Sequence, residues 1–255
     1  MNWSYCFKKM ERTKIITNIF KIHFLTYVFI LISLFSGRIK SILLYMAIII
    51  VHELGHYLTG LLFNWKVDKI YIYPLGGVTV FKDRLNKPFI EEFLVTISGP
   101  LIQIIIANYL SYIDSSILFF SNVLLMINLL PIVPLDGGKL CNIILSCFIS
   151  YKKSMIYAIK VSFVVWFIII YILIKTNSLI LLISFILIIF KIIEEYKNTG
   201  YYYNRFLIER MFINYNGKNI IINNIEDIYK YRKNYININN QLYSEREYIE
   251  RFLMW

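Results

Sequence analysis

Long apolar segments alternate with short polar segments along most of this chain. A membrane-spanning helix needs about 20 mostly apolar residues, and six segments come close to that length or exceed it. They are residues 16–36, 41–63, 93–110, 116–135, 156–174 and 178–193. The pattern predicts an all-α polytopic membrane protein with about six transmembrane helices, and five or seven spans are the alternatives.

The segment after the second predicted helix has a different period. In KIYIYPLGGVTVF (69–81), tyrosines alternate with isoleucines, and Gly76 and Gly77 precede a second alternating stretch. Alternation on both sides of a glycine pair is typical of a β-hairpin. Because an unpaired strand edge is not tolerated against lipid, we expect the hairpin to lie at the membrane surface or against protein.

A polar tail, residues 194–255, follows the apolar segments, so the pattern predicts a membrane-embedded core at 1–193 and a cytoplasmic tail. The tail contains nine basic and eight acidic residues and is nearly neutral. Its stretch RFLIERMF (205–212) is amphipathic and predicts a helix that lies along the membrane surface. The remainder predicts a small helix–strand unit.

Composition and charge agree with a membrane protein. The chain is 58% hydrophobic and 17% charged, with a mean hydropathy of +0.59, which is more apolar than an average soluble domain. The net charge of +11 would suit a nucleic-acid-binding protein, but the basic residues lie between the apolar segments, as membrane topology requires. We therefore expect a lipid bilayer and no nucleic acid as partner, with both termini in the cytoplasm.

The second predicted helix carries HELGH (52–56). His52 and His56 are four residues apart and share one face of a helix, so both imidazoles can bind one metal ion, with Glu53 beside them. A catalytic zinc ion lowers the pKa of its bound water to about 7, and Glu53 would accept that proton. The pattern HExxH also occurs by chance, but a glutamate near the centre of a membrane helix costs about 2.5 kcal/mol or more. This cost favours a functional site.

Catalytic zinc needs a third protein ligand, and we expect it to be Asp136. It lies in NLLPIVPLDGG (128–138), whose two prolines must break the fourth predicted helix. Broken helices at membrane depth usually line a cavity or a site, and Gly137 and Gly138 allow another backbone to come close. The alternative is that Asp136 only caps a helix over 137–150.

HELGH and NLLPIVPLDGG, in this order in the second and fourth segments, resemble the site-2 protease family of intramembrane zinc metalloproteases. PLGG (74–77) and SGP (98–100) are similar to further features of that family. The resemblance implies that one Zn²⁺ is bound and that Asn128 positions the substrate. It also implies that His52, His56 and Asp136 are the zinc ligands and that Glu53 is the catalytic base.

Peptide hydrolysis requires an extended substrate, because a helix hides its carbonyl groups. We hypothesise that the hairpin at 69–81 offers an edge strand with which the substrate pairs near the zinc ion. In that arrangement Gly76 and Gly77 would help to position the substrate.

Within the family, the chain resembles the members that act in sporulation, through KIHF (21–24), a compact six-span core and RFLIER (205–210). This resemblance covers about residues 15–212. It implies a membrane-associated sigma-factor precursor, pro-sigma-K, as substrate, in the mother-cell membrane around the forespore, and control by inhibitory membrane partners. Those members end in a nucleotide-sensing CBS domain. The tail is too short and irregular to match one, so we interpret it as a reduced regulatory segment.

Three other functions remain open. The chain could be a protease that cleaves another membrane-tethered regulator, such as an anti-sigma factor, a metal transporter, or an inert scaffold. A transporter spreads its polar residues over several spans, whereas here they concentrate in one helix and one broken helix. The complete set of two histidines, Glu53 and Asp136 argues against an inert scaffold.

Overall fold

The computed structural model describes residues 20–74, 76–82, 85–175, 179–212, 217–238 and 241–252. The helices are α1 Phe24–Phe35, α2 Ile39–Leu62, α3 Phe89–Leu110, α4 Ser116–Asn128, α5 Asp136–Phe148, α6 Tyr151–Lys175, α7 Leu179–Phe212 and α8 Glu245–Phe252. The strands are β1 Phe20–Ile22, β2 Val67–Tyr73, β3 Gly76–Phe81, β4 Asn219–Ile222, β5 Lys233–Ile238 and β6 Gln241–Ser244, and a short 3-10 helix covers Ile225–Asp227.

Three helices of the described residues, α2, α3 and α6, are long and apolar enough to cross a membrane. Two shorter apolar helices are Thr26–Phe35, within α1, and α4. On α6, large apolar side chains such as Phe167 and Tyr171 are 63% and 61% exposed, which suits contact with lipid. The apolar helices identify a membrane protein, and the number of six spans stays a prediction.

The predicted spans differ from the helices at two places. Part of the first span is a strand, since Phe20–Ile22 form β1 and the helix begins only at Phe24; residues 16–19 lie outside the described residues. The fourth span, predicted at 116–135, is helical only to Asn128, and the next helix begins at Asp136. The prolines in between account for this second difference.

The all-α class is too narrow, because the described residues include two three-stranded sheets. In the first sheet, β2 lies between β1 and β3, pairing parallel with β1 and antiparallel with β3. The main-chain N–H of His23 and the hydroxyl of Thr26 both donate to the carbonyl of Ile72, at 3.0 and 2.9 Å, and extend this contact beyond β1. Among the described strands, β3 therefore forms one edge of the sheet.

The chain divides into two compact units. One unit contains α1, α2, the first sheet, α4 and the C-terminal part of α3. Its core is formed by side chains from α2, β2, α3 and α4, including the fully buried Ile49 and Leu124. Two of these helices, α2 and α3, touch at small residues: the Ser98 hydroxyl donates to the carbonyl of Gly55 at 3.0 Å.

The other unit contains the N-terminal part of α3, helices α5 to α8 and the second sheet. That sheet has the order β4-β5-β6, with β4 parallel and β6 antiparallel to β5. Its core combines Ile228 and Ile236 with Tyr151 at the start of α6 and Phe206 near the end of α7. The tail is therefore folded onto the ends of two long helices.

The stretch RFLIERMF does not form a separate surface helix, as the sequence predicted, because it is the last part of α7. Phe206 and Leu207 are buried in the core shared with the second sheet. Its amphipathic pattern reflects that packing. The same helix passes residue 193 without a break, so the boundary between core and tail stays a prediction.

Candidate metal centre

Helix α2 places His52, Glu53 and His56 in the interior, with relative exposures of 1%, 2% and 5%. The surrounding sequence from Ile39 to Leu62 is apolar and free of proline, which keeps the helix regular across the motif. Residues four apart in a helix lie on one face. As a result the Nε2 atoms of the two imidazoles face each other at 3.2 Å.

This separation fits a shared metal ion. Two nitrogen ligands at about 2.0–2.1 Å from a tetrahedral zinc ion are about 3.3 Å apart. The observed 3.2 Å between the Nε2 atoms of His52 and His56 is close to that value. The two histidines therefore have the spacing of neighbouring zinc ligands.

The space for the His56 ring depends on a glycine of α3. A Cβ atom on Gly99 would lie 2.3 Å from Nε2 of His56. Gly55 of α2 faces the same helix, and a Cβ there would lie 2.7 Å from the carbonyl oxygen of Ser98. The SGP sequence at 98–100 thus brings α3 close to the part of α2 that carries His52 and His56.

Glu53 is held by two residues of β3. The Thr79 hydroxyl donates to Oε2 of Glu53 at 2.6 Å. Gly77 lies directly against the same side chain, because a Cβ at this position would be 2.4 Å from Cγ of Glu53 and 2.6 Å from its Oε1. Sequence reasoning identified Gly77 but missed Thr79, since a threonine in an alternating strand gives no signal of its own.

Asn128, the last residue of α4, is also brought to this site. It is 5% exposed, and its Nδ2 lies 3.2 Å from Nε2 of His52. Gly76 lies beside it, with a Cβ position 3.5 Å from Oδ1 of Asn128. Of the three residues predicted to position substrate, Asn128 therefore lies next to His52, Gly77 next to Glu53, and Gly76 next to Asn128.

The second nitrogen of His52 has a buried partner that sequence reasoning missed. Nδ1 of His52 lies 2.8 Å from Oε1 of Gln103 in α3. The amide group of Gln103 in turn donates to the carbonyl oxygen and the hydroxyl of Ser121 in α4, at 2.7 and 3.0 Å. The available signal was a glutamine within an apolar span, which is costly unless it is hydrogen-bonded.

Asp136 is the first residue of α5 and is 5% exposed. The N-cap of this helix is Leu135, without a side-chain capping bond, so the capping alternative for Asp136 is wrong. Its Oδ1 accepts a hydrogen bond from Nζ of Lys139 at 3.1 Å. A buried carboxylate of this kind is a ligand type that zinc accepts.

Gly137 and Gly138 fix the backbone beside Asp136. A Cβ on Gly137 would lie 2.2 Å from the carbonyl oxygen of Leu129, and one on Gly138 would lie 2.5 Å from the main-chain carbon of Ile132. Glycine is required at both positions because backbone atoms cannot move aside as a side chain can. The prediction of close backbone approach is confirmed.

Comparison with known proteins identifies the family. Residues 40–116 match Peptidase family M50. Stage IV sporulation protein FB of Bacillus subtilis is 30% identical over 220 residues, which are 79% of this chain and 73% of that protein. The chain therefore belongs to peptidase family M50, the site-2 protease family.

Two further matches, one by sequence and one by structure, come from Methanocaldococcus jannaschii. A zinc metalloprotease of that organism is 34% identical over 126 residues, 44% of this chain and 36% of the relative. The solved structure of its site-2 protease has the same fold, with a TM-score of 0.57 at 24% identity, over 69% of this chain and 89% of that one. Family membership and the relatives that match in sequence support a metalloprotease.

Proposed function

We propose that the chain is an intramembrane zinc metalloendopeptidase that hydrolyses a peptide bond of a membrane-associated protein. The observation that carries the proposal is the buried pair of imidazoles, 3.2 Å apart at Nε2, with the carboxylate of Glu53 adjacent. Two histidines and a carboxylate are a known ligand set for catalytic zinc in proteases. We assign His52, His56 and Asp136 as ligands of one Zn²⁺.

The chemistry follows from the side chains around Glu53. A zinc ion held there would polarise the scissile carbonyl and acidify water. Because Thr79 donates to Oε2 of Glu53, we assign Oε1 as the oxygen that accepts the proton of the attacking water. Glu53 then delivers a proton to the nitrogen of the leaving amine. Asn128, beside His52, would orient the substrate main chain.

The first sheet supports a more specific hypothesis for substrate binding. In the order β1-β2-β3, β3 is an edge strand among the described strands, and it also carries Gly77 and Thr79. An extended peptide paired with β3 would have its carbonyls close to Glu53. Proline at Val78 or Val80 should reduce cleavage while thermal stability is retained. Unimpaired cleavage in both variants would exclude this mode of binding.

The substrate we propose is a sigma-factor precursor such as pro-sigma-K. The support is the resemblance to the sporulation members of the family and the 30% identity to stage IV sporulation protein FB. The setting would be the mother-cell membrane around the forespore, with inhibitory membrane proteins as regulators. A membrane-tethered anti-sigma factor is the alternative substrate.

Co-expression tests activity and substrate together. The chain and its Glu53→Gln variant would each be produced with candidate sigma-factor precursors and with anti-sigma factors, and cleavage would be followed by immunoblotting. We expect a sigma precursor to be shortened only by the unsubstituted chain. Equal cleavage with Glu53→Gln would refute the catalytic role of this residue. Zinc flux into proteoliposomes without any proteolysis would favour the transporter.

A further inference from the structure

We infer that Gln103 is a positioning residue that fixes the tautomer and ring orientation of His52. This inference rests on the proposed zinc site and adds to it a set of hydrogen bonds from α3 and α4 that hold His52. Gln103 is fully buried, with a relative exposure of 0%. A glutamine in that position must satisfy both ends of its amide group within the protein.

The hydrogen bonds determine which way the amide points. A carbonyl oxygen only accepts hydrogen bonds, so the group that lies 2.7 Å from the carbonyl oxygen of Ser121 must be the NH2 of Gln103. The amide oxygen is then the atom that faces Nδ1 of His52 at 2.8 Å. Because an amide oxygen also only accepts, Nδ1 of His52 must carry the hydrogen.

The consequence for His52 follows from imidazole chemistry. A neutral imidazole with its hydrogen on Nδ1 has its lone pair on Nε2. That is the atom which faces Nε2 of His56 at 3.2 Å. Gln103 therefore prepares the nitrogen that binds the metal, as the outer partners of metal-bound histidines commonly do.

The geometry explains why glutamine suits this position. The side chain donates to Ser121 and accepts from His52 at the same time, which neither a carboxylate nor an apolar side chain can do. Asparagine is shorter by one carbon–carbon bond, about 1.5 Å, and would not reach both partners. A purely structural link between α3 and α4 would need only the bond to Ser121.

Zinc affinity of the purified full chain is the direct test. It would be measured by competition with a chromogenic chelator for the unsubstituted chain and for Gln103→Leu, Gln103→Met and Gln103→Glu. The matched control is Asn108→Leu on the same helix, because the amide of Asn108 is exposed and donates to the carbonyl of Ile104 in its own helix, at 2.9 Å. Thermal unfolding of each variant would be recorded alongside.

We expect Gln103→Leu and Gln103→Met to bind zinc about 10–100-fold more weakly, and Asn108→Leu to bind within about twofold of the unsubstituted chain. Gln103→Glu retains an acceptor for Nδ1 and should recover most of the affinity, even though it loses the bond to Ser121. Unchanged affinity in a folded Gln103→Leu variant would overturn the inference. So would an affinity that simply follows thermal stability across the three variants. Failure of the unsubstituted chain to bind zinc would instead refute the proposed function.

Discussion

Gly77 and Gly99 each lie against a side chain of the proposed active site. A Cβ atom on Gly77 would meet the Glu53 carboxylate, and one on Gly99 would meet the His56 ring, both at less than 3 Å. In each case the obstructed group is a side chain, which can move, and not the backbone. Added bulk would therefore displace a functional group while the helices stay in place.

We expect Gly77→Ala to reduce cleavage by at least about 100-fold and to leave zinc binding nearly unchanged, because Glu53 is the proposed base and not one of the proposed ligands. Cleavage assays and zinc content on the same preparation check this result. Gly200→Ala is the matched control, since a Cβ there has nothing within 4 Å. Full activity in Gly77→Ala would show that the position of Glu53 is not critical.

The residues of the site differ in how far sequence could reveal them. His52, Glu53 and His56 follow from helical spacing, because they lie on one continuous element. Thr79 and Gln103 depend on which strand and which helix pack against α2, and no local pattern encodes that. Asp136 is proposed because the prolines before it mark a break in an apolar segment.

The start of α3 is connected to the tail by a buried polar contact. Nζ of Lys230 lies 2.7 Å from the Glu92 carboxylate, and the Tyr231 hydroxyl donates to the same carboxylate at 2.5 Å. The side chains of Lys230 and Glu92 are only 8% and 11% exposed. Burial, followed by the neighbouring Glu92, raises the pKa of Tyr231, so its hydroxyl stays protonated as a donor.

We expect Lys230→Met to destabilise this unit by about 3–5 kcal/mol, because it leaves the buried Glu92 carboxylate without its cation. Chemical unfolding in detergent, followed by tryptophan fluorescence, measures the effect. Arg246→Met is the control: it removes an exposed pair with Glu250, whose contribution to stability should be much smaller because water screens the two charges. Equal effects of the two substitutions would contradict the account of this contact.

Elements formed by local pattern were predicted better than elements formed by long-range pairing. The helices α2, α3 and α6 follow from long apolar segments. The strand β1 could not be recognised, because its three residues, Phe20–Ile22, lie inside an apolar segment and form a strand only by pairing with β2. The second sheet likewise depends on packing against α6 and α7.

At the scale of the whole molecule, one ion pair connects two loops of one unit, the loop before α2 and the loop between α3 and α4. Lys40, at the start of α2, lies 2.8 Å from Asp114, in the loop between α3 and α4. The hydrogen bond from Lys40, followed by that from the main-chain N–H of Ser116, lowers the pKa of Asp114 to about 2. The pair is therefore charged at neutral pH, and it places both loops at the same end of their unit.

The distribution of basic residues predicts that these loops lie outside the cytoplasm and that the tail lies inside. Single cysteines at Tyr112, which is 92% exposed, and at Glu250 would be introduced after Cys6, Cys141 and Cys147 are replaced. A membrane-impermeant thiol reagent should label Tyr112→Cys in intact cells and Glu250→Cys only after permeabilisation. The reverse pattern would mean that the orientation is wrong.

The central claim is that His52, His56 and Asp136 hold one zinc ion beside a base that is not a ligand. The zinc-to-protein ratio of the purified chain, measured for the unsubstituted protein, Glu53→Gln and Asp136→Asn, tests it most directly. We predict about one zinc per chain in the first two and a marked loss of zinc in Asp136→Asn, because only that variant weakens a ligand. Full zinc content in Asp136→Asn, or its loss in Glu53→Gln, would contradict the account.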